Sequence, residues 1–476
     1  MKLFRLLKNY KCRLVGNMSV EIAGLYHKDT EVQNGGLFFC LRGTNVDGTD
    51  YVKSAINNGA VAIVTEHEIQ KLPGITQVIV KNVRETMSVL ACEFYGNPAK
   101  KMKIIGVTGT NGKTTISTMI ANVLEFSGKK VGLIGTNGIF ISGKKYNAFM
   151  TTPDPIILQY YFAKMAKARC EYVCMEVSAH ALDQDRVNGF KFDLAIFTNL
   201  SEDHLDYFKT MEKYLESKAK LFLPQRSKYA LINIDDLAGR FLTECINIPF
   251  KTYSINEKSS YFASEIKEFE TSQEFCFNNH EWFLINMMGR FNVSNALAAI
   301  SALRHFGIEI HSIKQAFEKM EPVEGRFNLK VIDRVKVVVD YAHTPDGLEN
   351  LLNATRQFAK KNKVVVVFGC GGNREVQKRP KMGEIATRLA DFVIITSDNP
   401  RFEKREDIAK DIEKGIESSN YLIELDRGSA IKKAVQMCEA GDVVVLAGKG
   451  SENYIDENGE KLPYSDFDEI EKLGRC

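Results

Sequence analysis

The stretch Lys-Ile-Ile-Gly-Val-Thr-Gly-Thr-Asn-Gly-Lys-Thr-Thr, residues 103–115, decides the fold. Its first half, Lys103–Thr108, is a short apolar and β-branched run typical of a buried strand, and the pattern from Ile116 to Phe126 predicts a helix. A glycine loop between a strand and a helix aims backbone N–H groups and the helix dipole at a polyphosphate. The stretch therefore predicts a nucleotide-binding α/β domain.

Separate residues of this loop suit separate parts of a nucleotide. Glycines allow close backbone approach, Lys113 supplies a positive charge for the β- and γ-phosphates, and the Thr114 hydroxyl can bind magnesium. Val107 stands where the common phosphate-loop pattern has its first glycine. A strand-to-helix turn with an incidental lysine is the alternative, and the loop alone does not distinguish a kinase, a motor and a ligase. We expect ATP and Mg²⁺ to bind through these residues: Gly109, Thr110, Asn111, Gly112, Lys113, Thr114 and Thr115.

A chain of 476 residues is too long for one core, and its patterns divide into three blocks. The first has short strand-like runs and ends at Asn97-Pro98, a natural break. The second and third alternate apolar runs with helical patterns, such as those at Thr344–Ala359 and Lys404–Ser418 in the third, which indicates mainly parallel sheets. We predict an α/β protein of three domains: a small N-terminal α/β domain (1–98), a central P-loop ATPase domain (99–322), and a C-terminal doubly wound, Rossmann-like domain (323–476).

Composition narrows the partners and the compartment. The formal charge is +3 and no long Lys/Arg block occurs, so neither nucleic acid nor an anionic membrane is an expected partner. No run approaches the roughly 20 apolar residues of a membrane span, and Arg5 and Lys8 interrupt the basic start, which is a poor signal peptide. Ten cysteines are scattered singly, as in reducing compartments. We expect a cytoplasmic protein without membrane insertion.

The run Thr108–Thr115 resembles the version of this loop found in the Mur ligase family and in folylpolyglutamate synthases. In that family ATP phosphorylates a substrate carboxylate, and an amine attacks the acyl phosphate to give an amide, ADP and phosphate. Further matches follow the family order over almost the whole chain: Asp47-Gly48, Thr151-Thr152, Glu176 to His180, Thr198 to Leu200, Asp203-His204, Asn292 with Asn295, Gly325-Arg326, and Asp340 to His343.

The resemblance implies a catalytic and magnesium-binding set. Glu176 and His204 each follow an apolar strand-like run, so both should lie at the carboxyl edge of the sheet near the phosphate loop. A lone Glu or His at a strand end is more often solvated or hydrogen-bonded, but the family match favours metal ligation. The sequence around Lys218 predicts only a solvated lysine on a helix. Its family counterpart reacts with carbon dioxide and ligates the metal as a carbamate. The implied catalytic residues are Lys113, Glu176, His204 and Lys218, and the implied metal ligands are Thr114, Glu176, His204 and carbamylated Lys218.

The resemblance also distributes two substrates over the chain. It assigns Asn292 and Asn295 to adenine, Arg326 to phosphate and Asp340 to ribose. The first domain should bind the UDP end of a UDP-N-acetylmuramoyl dipeptide, although relatives commonly have Asp-Ser-Arg where this chain has Lys-Asp-Thr at 28–30. Lys28 can pair with pyrophosphate, whereas Asp29 adds a negative charge. The residues implied to bind this substrate are Thr151, Thr152, Ser178, Gln184 and Arg186.

Two consecutive strand ends in the last block should form the amino-acid site. The strands predicted at Asp391–Thr396 and Asp442–Ala447 place the segments that follow them on one rim. In relatives that use meso-diaminopimelate, an arginine of the first segment binds the distal carboxylate and a Gly and a Glu of the second meet the distal ammonium. L-Lysine has no distal carboxylate and would leave that arginine unpaired. The implied residues are Arg379, Asp398, Asn399, Pro400, Arg401, Gly448 and Glu452.

The departures in this region are Ser451, where relatives usually carry His, and Asn373, where Asp is usual. The expected function is ATP-dependent ligation of meso-2,6-diaminopimelate to the γ-carboxylate of D-Glu in UDP-N-acetylmuramoyl-L-Ala-D-Glu, by a monomer that needs Mg²⁺ and carbon dioxide. The alternatives are the same reaction with L-lysine, a related ligase that adds a dipeptide or extends folate with glutamate, and a non-catalytic paralogue that binds UDP-sugar peptides.

Overall fold

The computed structural model describes residues 1–43, 46–70, 72–148 and 150–474. It is an α/β protein with three main sheets, one for each predicted domain, which confirms the predicted fold class. The boundaries at residues 98 and 322 stay predictions. Among the described residues, no helix is both long and apolar enough to cross a membrane.

The N-terminal domain has a five-stranded sheet of order β1-β5-β4-β3-β2, parallel except for β1. Its strands are β1 (Arg13–Val15), β2 (Gly24–Tyr26), β3 (Gly36–Phe39), β4 (Ala60–Thr65) and β5 (Thr76–Ile79). Its helices are α1 (Leu3–Leu6), α2 (Val52–Asn57) and α3 (Val83–Phe94).

The central domain has an eleven-stranded sheet of order β16-β15-β14-β13-β12-β11-β6-β10-β7-β8-β9, in which β6, β7 and β10 to β14 are parallel. Its strands are β6 (Lys103–Thr108), β7 (Val131–Gly135), β8 (Gly138–Ile141), β9 (Lys144–Tyr146), β10 (Tyr172–Glu176), β11 (Leu194–Phe197), β12 (Ala230–Asn233), β13 (Phe250–Ser254), β14 (Tyr261–Glu268), β15 (Gln273–Phe277) and β16 (Glu281–Ile285). Its helices are α4 (Lys113–Phe126), α5 (Pro155–Lys167), α6 (Ala179–Asp183), α7 (Leu205–Phe208), α8 (Met211–Ala219), α9 (Leu237–Cys245), α10 (Arg290–His305) and α11 (Ile310–Lys319).

The C-terminal domain has a six-stranded sheet of order β17-β18-β22-β19-β20-β21, parallel except for β17, and a separate β23-β24 hairpin. Its strands are β17 (Asn328–Ile332), β18 (Val335–Asp340), β19 (Val364–Phe368), β20 (Phe392–Ile395), β21 (Tyr421–Ile423), β22 (Val443–Ala447), β23 (Tyr454–Glu457) and β24 (Glu460–Pro463). Its helices are α12 (Pro345–Ala359), α13 (Lys378–Leu389), α14 (Arg405–Glu413), α15 (Arg427–Gln436) and α16 (Asp466–Leu473).

Buried apolar strands explain why these sheets form. Every residue of β19 (Val-Val-Val-Val-Phe) and of β22 (Val-Val-Val-Leu-Ala) is buried, as expected for parallel strands with helices on both faces. Separate apolar cores lie on the two faces of the central sheet and on the two faces of the C-terminal sheet. The parallel arrangement brings the carboxyl ends of strands within each domain to one edge, where functional loops collect.

One predicted helix is shorter than its pattern indicated. The apolar spacing predicted a helix over Lys404–Ser418, but α14 ends at Glu413. A Cβ at Gly415 would lie 1.9 Å from the carbonyl oxygen of Pro380, so the chain passes too close to α13 to carry helical side chains there. Tertiary packing has overridden local helical spacing at this end.

Candidate active site

One cavity of about 670 Å³ lies between the central and C-terminal domains. Segments after β6, β10 and β11 line it from the central domain, and segments after β18, β20 and β22 line it from the C-terminal domain. The predicted residues that line it are Gly109, Thr110, Asn111, Gly112, Lys113, Thr114, Thr115, Thr151, Glu176, Ser178, His204, Lys218, Asn292, Asn295, Arg326, Asp340, Asp398, Asn399, Arg401, Gly448 and Glu452. Residues predicted for ATP and for the amino acid therefore share one cavity.

The two glycines of the phosphate loop are required by both conformation and space. Gly109 has φ +148° and Gly112 has φ +86°, backbone conformations that favour glycine. A Cβ at Gly109 would lie 1.8 Å from Thr198 Oγ1, and one at Gly112 would lie 2.6 Å from Asn295 Oδ1. The loop therefore keeps its backbone exposed towards the cavity at the start of α4.

Lys113 folds back over the phosphate loop. Its Nζ donates to the carbonyl oxygens of Gly109 at 2.9 Å and Thr110 at 2.8 Å. Burial lowers the pKa of Lys113, while the negative charges of Glu176 and Asp203 act in the opposite direction. The Lys113 side chain therefore lies beside the phosphate-loop backbone and lines the cavity.

Glu176, at the end of β10, is a buried carboxylate held from two sides. Its Oε1 accepts from the backbone N–H of Thr136 at 2.8 Å, and its Oε2 accepts from Thr114 Oγ1 at 2.9 Å. Arg326, from the segment that leads into the C-terminal domain, donates to the same Thr114 Oγ1 at 2.9 Å. A hydroxyl and a carboxylate, both oxygen ligands suited to Mg²⁺, are therefore in direct contact beside the phosphate loop.

His204 and Asp203 form a pair at the same edge of the sheet. The His204 Nε2 lies 3.3 Å from Asp203 Oδ2. Burial lowers the pKa of His204 to about 3, so its imidazole is neutral and has a lone pair for a cation. Burial alone would raise the pKa of Asp203, but His204, His343 and Lys378 together lower it to about 2.

Lys218, on α8, is fully buried, with 1% of its surface exposed. Its Nζ lies 4.1 Å from the centre of the Tyr214 ring, and in the described part of the chain it forms no ion pair. Burial, followed by the charge of Lys113, lowers the pKa of Lys218 well below its usual value. A neutral, nucleophilic amine is the form that reacts with carbon dioxide, so the environment fits the carbamate that the resemblance implies.

The predicted metal-binding residues all line the cavity, but their types are mixed. Within the described residues, no group of three or more His, Cys, Asp and Glu is arranged to hold a metal ion. Glu176 and His204 are the two members of the predicted set with such side chains, and the others are the Thr114 hydroxyl and Lys218. A carbamate on Lys218 would add a second oxygen anion to this set.

The nucleotide residues are packed into the junction of the two domains. Asn292 donates to the Met288 carbonyl at 2.8 Å and accepts from Asn295 Nδ2 at 3.1 Å, so α10 fixes both amides. Asp340, at the end of β18, accepts from the backbone N–H of Phe327 and of Ala342, each at 2.7 Å. These contacts orient the side chains that the resemblance assigns to adenine and ribose.

Three residues predicted for the UDP-sugar peptide lie outside the cavity lining: Thr152, Gln184 and Arg186. Arg186 donates to the Thr152 carbonyl at 3.0 Å and to Gln184 Oε1 at 2.7 Å. Thr152 in turn donates to the Glu176 carbonyl at 2.9 Å and accepts from the Ser178 N–H at 3.0 Å. The group forms one network beside the cavity, connected to the Glu176 segment.

In the N-terminal domain, the charged side chains of residues 28–30, the segment that differs from relatives, contact residues of the same domain. Lys28 Nζ contacts Glu31 Oε1 at 2.8 Å, and Asp29 Oδ2 accepts from Ser54 Oγ at 2.6 Å. The Asp29 charge is thus directed at a hydroxyl within the domain. Neither residue lines the cavity described above.

The amino-acid segments meet at the other side of the cavity. Arg401 Nη1 donates to the Gly372 carbonyl at 2.7 Å, and its Nε lies 3.7 Å from Asp456 Oδ2. Glu452 accepts from Asn399 Nδ2 at 2.9 Å and from Lys449 Nζ at 3.2 Å. A cationic and an anionic group therefore line the same cavity, which suits a ligand with both kinds of charge.

Arg379, for which the resemblance implies a contact with the amino acid, lies inside the C-terminal domain and pairs with residues of that domain. It is 1% exposed, and its guanidinium pairs with Glu403 at 2.9 Å and Asp411 at 2.9 Å. Like Pro400, it is absent from the described cavity lining. In this arrangement Arg379 joins α13 to α14 from within the domain.

Sequence reasoning missed several residues at the domain junction. Asp346, in the first turn of α12, accepts from Asn111 Nδ2 at 2.8 Å and from Ser201 Oγ at 3.2 Å. The Thr344 cap with Pro345 marks the helix start in the sequence, but nothing local indicates that Asp346 meets the phosphate loop. Lining residues that the predictions did not include are, among others, Thr136, Asp346, Arg374, Glu375 and Lys378, whereas Asp203, Tyr341 and His343 lie in the matched motifs but were given no role.

Comparisons with known families match all three domains. The family models are "Mur ligase family, catalytic domain" over residues 21–95, "Mur ligase middle domain" over 107–303, and "Mur ligase, glutamate ligase domain" over 325–450. The chain is 44% identical over 477 residues to UDP-N-acetylmuramoyl-L-alanyl-D-glutamate--2,6-diaminopimelate ligase 1 of Clostridium acetobutylicum, covering 99% of this chain and 98% of the relative. The corresponding ligase of Caldanaerobacter subterraneus subsp. tengcongensis is 39% identical over 479 residues, covering 99% of each chain.

A solved structure described as UDP-N-acetylmuramoyl-L-alanyl-D-glutamate--2,6-diaminopimelate ligase has a TM-score of 0.71 at 31% identity, covering 100% of this chain and 99% of that one. MurF from Acinetobacter baumannii, at 16% identity, shares the fold with a TM-score of 0.66 over 100% and 99% of the two chains. The phosphate loop, the buried Glu176 and the end-to-end similarity lead to one conclusion: the chain belongs to the Mur ligase family.

Proposed function

We propose that the protein is an ATP-dependent ligase that joins meso-2,6-diaminopimelate to the γ-carboxylate of D-Glu in UDP-N-acetylmuramoyl-L-Ala-D-Glu, in the cytoplasmic synthesis of peptidoglycan. One observation carries the proposal: a single cavity is lined by the phosphate loop with Lys113, by the Glu176–Thr114 pair, and by Arg401 with Glu452. An ATP-driven ligase needs its phosphate donor, carboxylate and incoming amine in one place.

The first half-reaction brings anions together. A carboxylate oxygen of D-Glu attacks the γ-phosphorus of ATP, and the bond to the β-phosphate oxygen breaks as ADP leaves. Lys113 and Arg326 both line the cavity, and Arg326 donates to the Thr114 hydroxyl; the two side chains would offset the negative charge that the transferring group spreads over its oxygens. Buried positive charge near the phosphates is worth more than the same charge in water.

Thr114, Glu176, His204 and carbamylated Lys218 would hold Mg²⁺. When bound, the ion would supply positive charge that offsets the repulsion between ATP and the substrate carboxylate. The Glu176 carboxyl group is buried and accepts from the Thr114 hydroxyl, and the lowered pKa of His204 leaves its imidazole neutral, so that ring offers a nitrogen lone pair. Carbamylation would convert the neutral Lys218 amine into an anion and so would add an oxygen ligand to the set.

The second half-reaction forms the amide. The amine of diaminopimelate attacks the carbonyl carbon of the acyl phosphate, inorganic phosphate leaves, and the amine loses a proton. Water competes with the amine for the acyl phosphate, so the site must be covered during this step. The Asp346–Asn111 hydrogen bond and the Lys381–Glu202 ion pair connect the C-terminal domain with the central domain beside the phosphate loop.

Arg401 supports diaminopimelate rather than L-lysine as the incoming amino acid. Diaminopimelate has a distal carboxylate that an arginine can bind through charge-assisted hydrogen bonds, and L-lysine has none. Glu452 lines the same cavity and can meet the distal ammonium. The N-terminal domain would bind the UDP end, and the enzyme would act as a monomer on small-molecule substrates.

The proposal is tested by ADP release from purified protein with ATP, Mg²⁺, the UDP-dipeptide and each candidate amino acid. We expect turnover with meso-diaminopimelate and a loss of several orders of magnitude in Lys113→Ala, because a charge on the transferring phosphoryl group is removed. A higher kcat/KM with L-lysine than with meso-diaminopimelate would show that L-lysine is the incoming amino acid. Turnover of folate with glutamate, or no turnover at all, would reject the proposal.

A further inference from the structure

The turn between β7 and β8 contacts two parts of the cavity that belong to different domains. Thr136 donates from its backbone N–H to Glu176 Oε1 at 2.8 Å, and its hydroxyl contacts Glu176 Oε2 at 3.3 Å. The next residue, Asn137, accepts from Ser451 Oγ at 2.9 Å. Two adjacent residues therefore connect the carboxylate beside the phosphate loop with the segment Gly448–Glu452.

Asn137 uses both ends of its side-chain amide across the domain junction. Its Oδ1 accepts from Ser451, and its Nδ2 donates to the Glu324 carbonyl at 3.3 Å. Glu324 lies between α11 and β17, in the chain that joins the two domains. The amide thus contacts the interdomain segment and the amino-acid segment together.

The same junction is tightly packed on the Ser451 side. A Cβ at Gly325, which has φ +71°, would lie 2.2 Å from the Ser451 backbone nitrogen. Gly450, with φ +53°, has its Cβ position 2.8 Å from the Gly325 carbonyl oxygen. The backbones of the two segments are therefore in close contact. A small shift of the 448–452 segment would displace Gly325 and its neighbour Arg326.

These contacts matter for the amine because the segment carries Glu452. Glu452 is held by Asn399, Lys449 and, at 3.3 Å, Tyr341, all of the C-terminal domain. The Ser451–Asn137 hydrogen bond attaches the same short segment to the central domain, which carries the phosphate loop. The position of the amino-acid site relative to the phosphoryl group depends on this attachment.

We propose that Asn137 and Ser451 are positioning residues for the amine: their hydrogen bond docks the Gly448–Glu452 segment onto the central domain, so that the bound amino acid faces the acyl phosphate. The inference rests on the proposed function. It assigns no contact of Asn137 or Ser451 with substrate, and it predicts an effect on amine capture that leaves acyl-phosphate formation unchanged.

The test compares two nucleophiles in Asn137→Ala, Ser451→Ala and the double variant. With meso-diaminopimelate, losing the Asn137–Ser451 hydrogen bond should raise its KM by about 3- to 10-fold in Ser451→Ala. Asn137→Ala should raise it at least as much, because this variant also loses the hydrogen bond to the Glu324 carbonyl. The KM for ATP should stay within about twofold of the wild-type value, because the phosphate loop is untouched. The double variant should match Asn137→Ala, since adding Ser451→Ala removes no further bond.

Hydroxylamine supplies the second nucleophile, since it traps an acyl phosphate as a hydroxamate and needs no amino-acid site. The rate of hydroxamate formation should be unchanged in all three variants. Ser451→Thr, which keeps the hydroxyl, should retain the wild-type KM, and Ser418→Ala, at a serine outside the cavity lining, should have no effect.

The outcomes separate the two proposals. No hydroxamate and no amide product from the wild-type protein would reject the proposed function itself. An active wild-type enzyme whose variants keep the KM for diaminopimelate, or lose hydroxamate formation and amide formation equally, would overturn the positioning role. Multiplicative losses in the double variant would also overturn it, because they would show that the two residues act separately.

Discussion

Replacing Arg401 by alanine should reduce selectivity for diaminopimelate over L-lysine. Arg401 lines the cavity and has 23% of its side chain exposed, so it is accessible to a ligand while largely shielded from bulk water. The left-handed backbone at Arg401, φ +52°, turns the chain directly after Pro400. The neighbouring hydrogen bond from Arg401 N–H to the Asp456 carbonyl, at 2.9 Å, fixes this turn independently of the side chain.

The expected change in selectivity depends on how many N–H donors of the Arg401 guanidinium are free to bind a ligand. A guanidinium carries five N–H groups, and here Nη1 is engaged by the Gly372 carbonyl while Nε faces Asp456. Among the described residues Arg401 Nη2 forms no hydrogen bond, so one charge-assisted contact to a distal carboxylate is available. Asp456 competes for the same charge. We therefore take the lower part of the range for such contacts, about 1.5–2 kcal/mol, or roughly 10- to 30-fold.

The assay is kcat/KM for meso-diaminopimelate and for L-lysine, with wild type and Arg401→Ala. The ratio of the two values should fall about 10- to 30-fold in the variant, because lysine makes no contact that is lost. Arg405→Ala is the matched control: Arg405 pairs with Glu457 at 2.7 Å and does not line the cavity. An unchanged ratio in Arg401→Ala, or an equal fall in Arg405→Ala, would refute the reasoning.

Three further variants test other parts of the structure. Lys218→Ala should be nearly inactive and partly rescued by short-chain carboxylic acids that occupy the position of the carbamate; full activity without added acid would contradict carbamate ligation. Gly109→Ala should raise the KM for ATP by more than tenfold while circular dichroism stays unchanged, because its Cβ would lie 1.8 Å from Thr198 Oγ1; normal ATP kinetics would contradict the steric argument. Arg427→Met should lower the free energy of unfolding in urea by about 3–5 kcal/mol, because Asp466, paired with Arg427 at 2.7 Å with both side chains 0% exposed, keeps an uncompensated buried charge; a change below about 1 kcal/mol would contradict it.

Local pattern was sufficient for the elements that bear the site. The strand predicted at Lys103–Thr108 is β6 residue for residue, and the helix predicted at Thr344–Ala359 begins one residue later as α12. Both combine an apolar run with a strong end signal, glycine for the loop and Thr-Pro for the helix start. The helix predicted at Lys404–Ser418 failed because Gly415 packs against another helix, a contact that no local pattern contains.

The candidate active site likewise contains residues that could be predicted from the sequence and residues that could not. Residues at strand ends, such as Glu176 and Asp340, could be predicted because parallel strands bring their carboxyl ends to one edge. The contact of Asp346 with Asn111 joins residues 235 positions apart in different domains, so it depends on how the domains are placed. Whether Arg379 faces a ligand or a neighbouring helix likewise depends on Glu403 and Asp411, which sequence spacing does not locate.

The contacts that hold the two catalytic domains together have a consequence for turnover. Lys381 pairs with Glu202 with 50% and 31% of the side chains exposed, and such surface pairs contribute only about 0–1 kcal/mol. The Asn111–Asp346 and Ser451–Asn137 hydrogen bonds are partly buried but each is a modest interaction of about 1 kcal/mol. Contacts of this size make the junction sensitive to what occupies the cavity. We therefore expect substrates that bridge the phosphate loop and Arg326 to stabilise the closed arrangement further, and expect this stabilisation to fall once ADP and phosphate replace ATP.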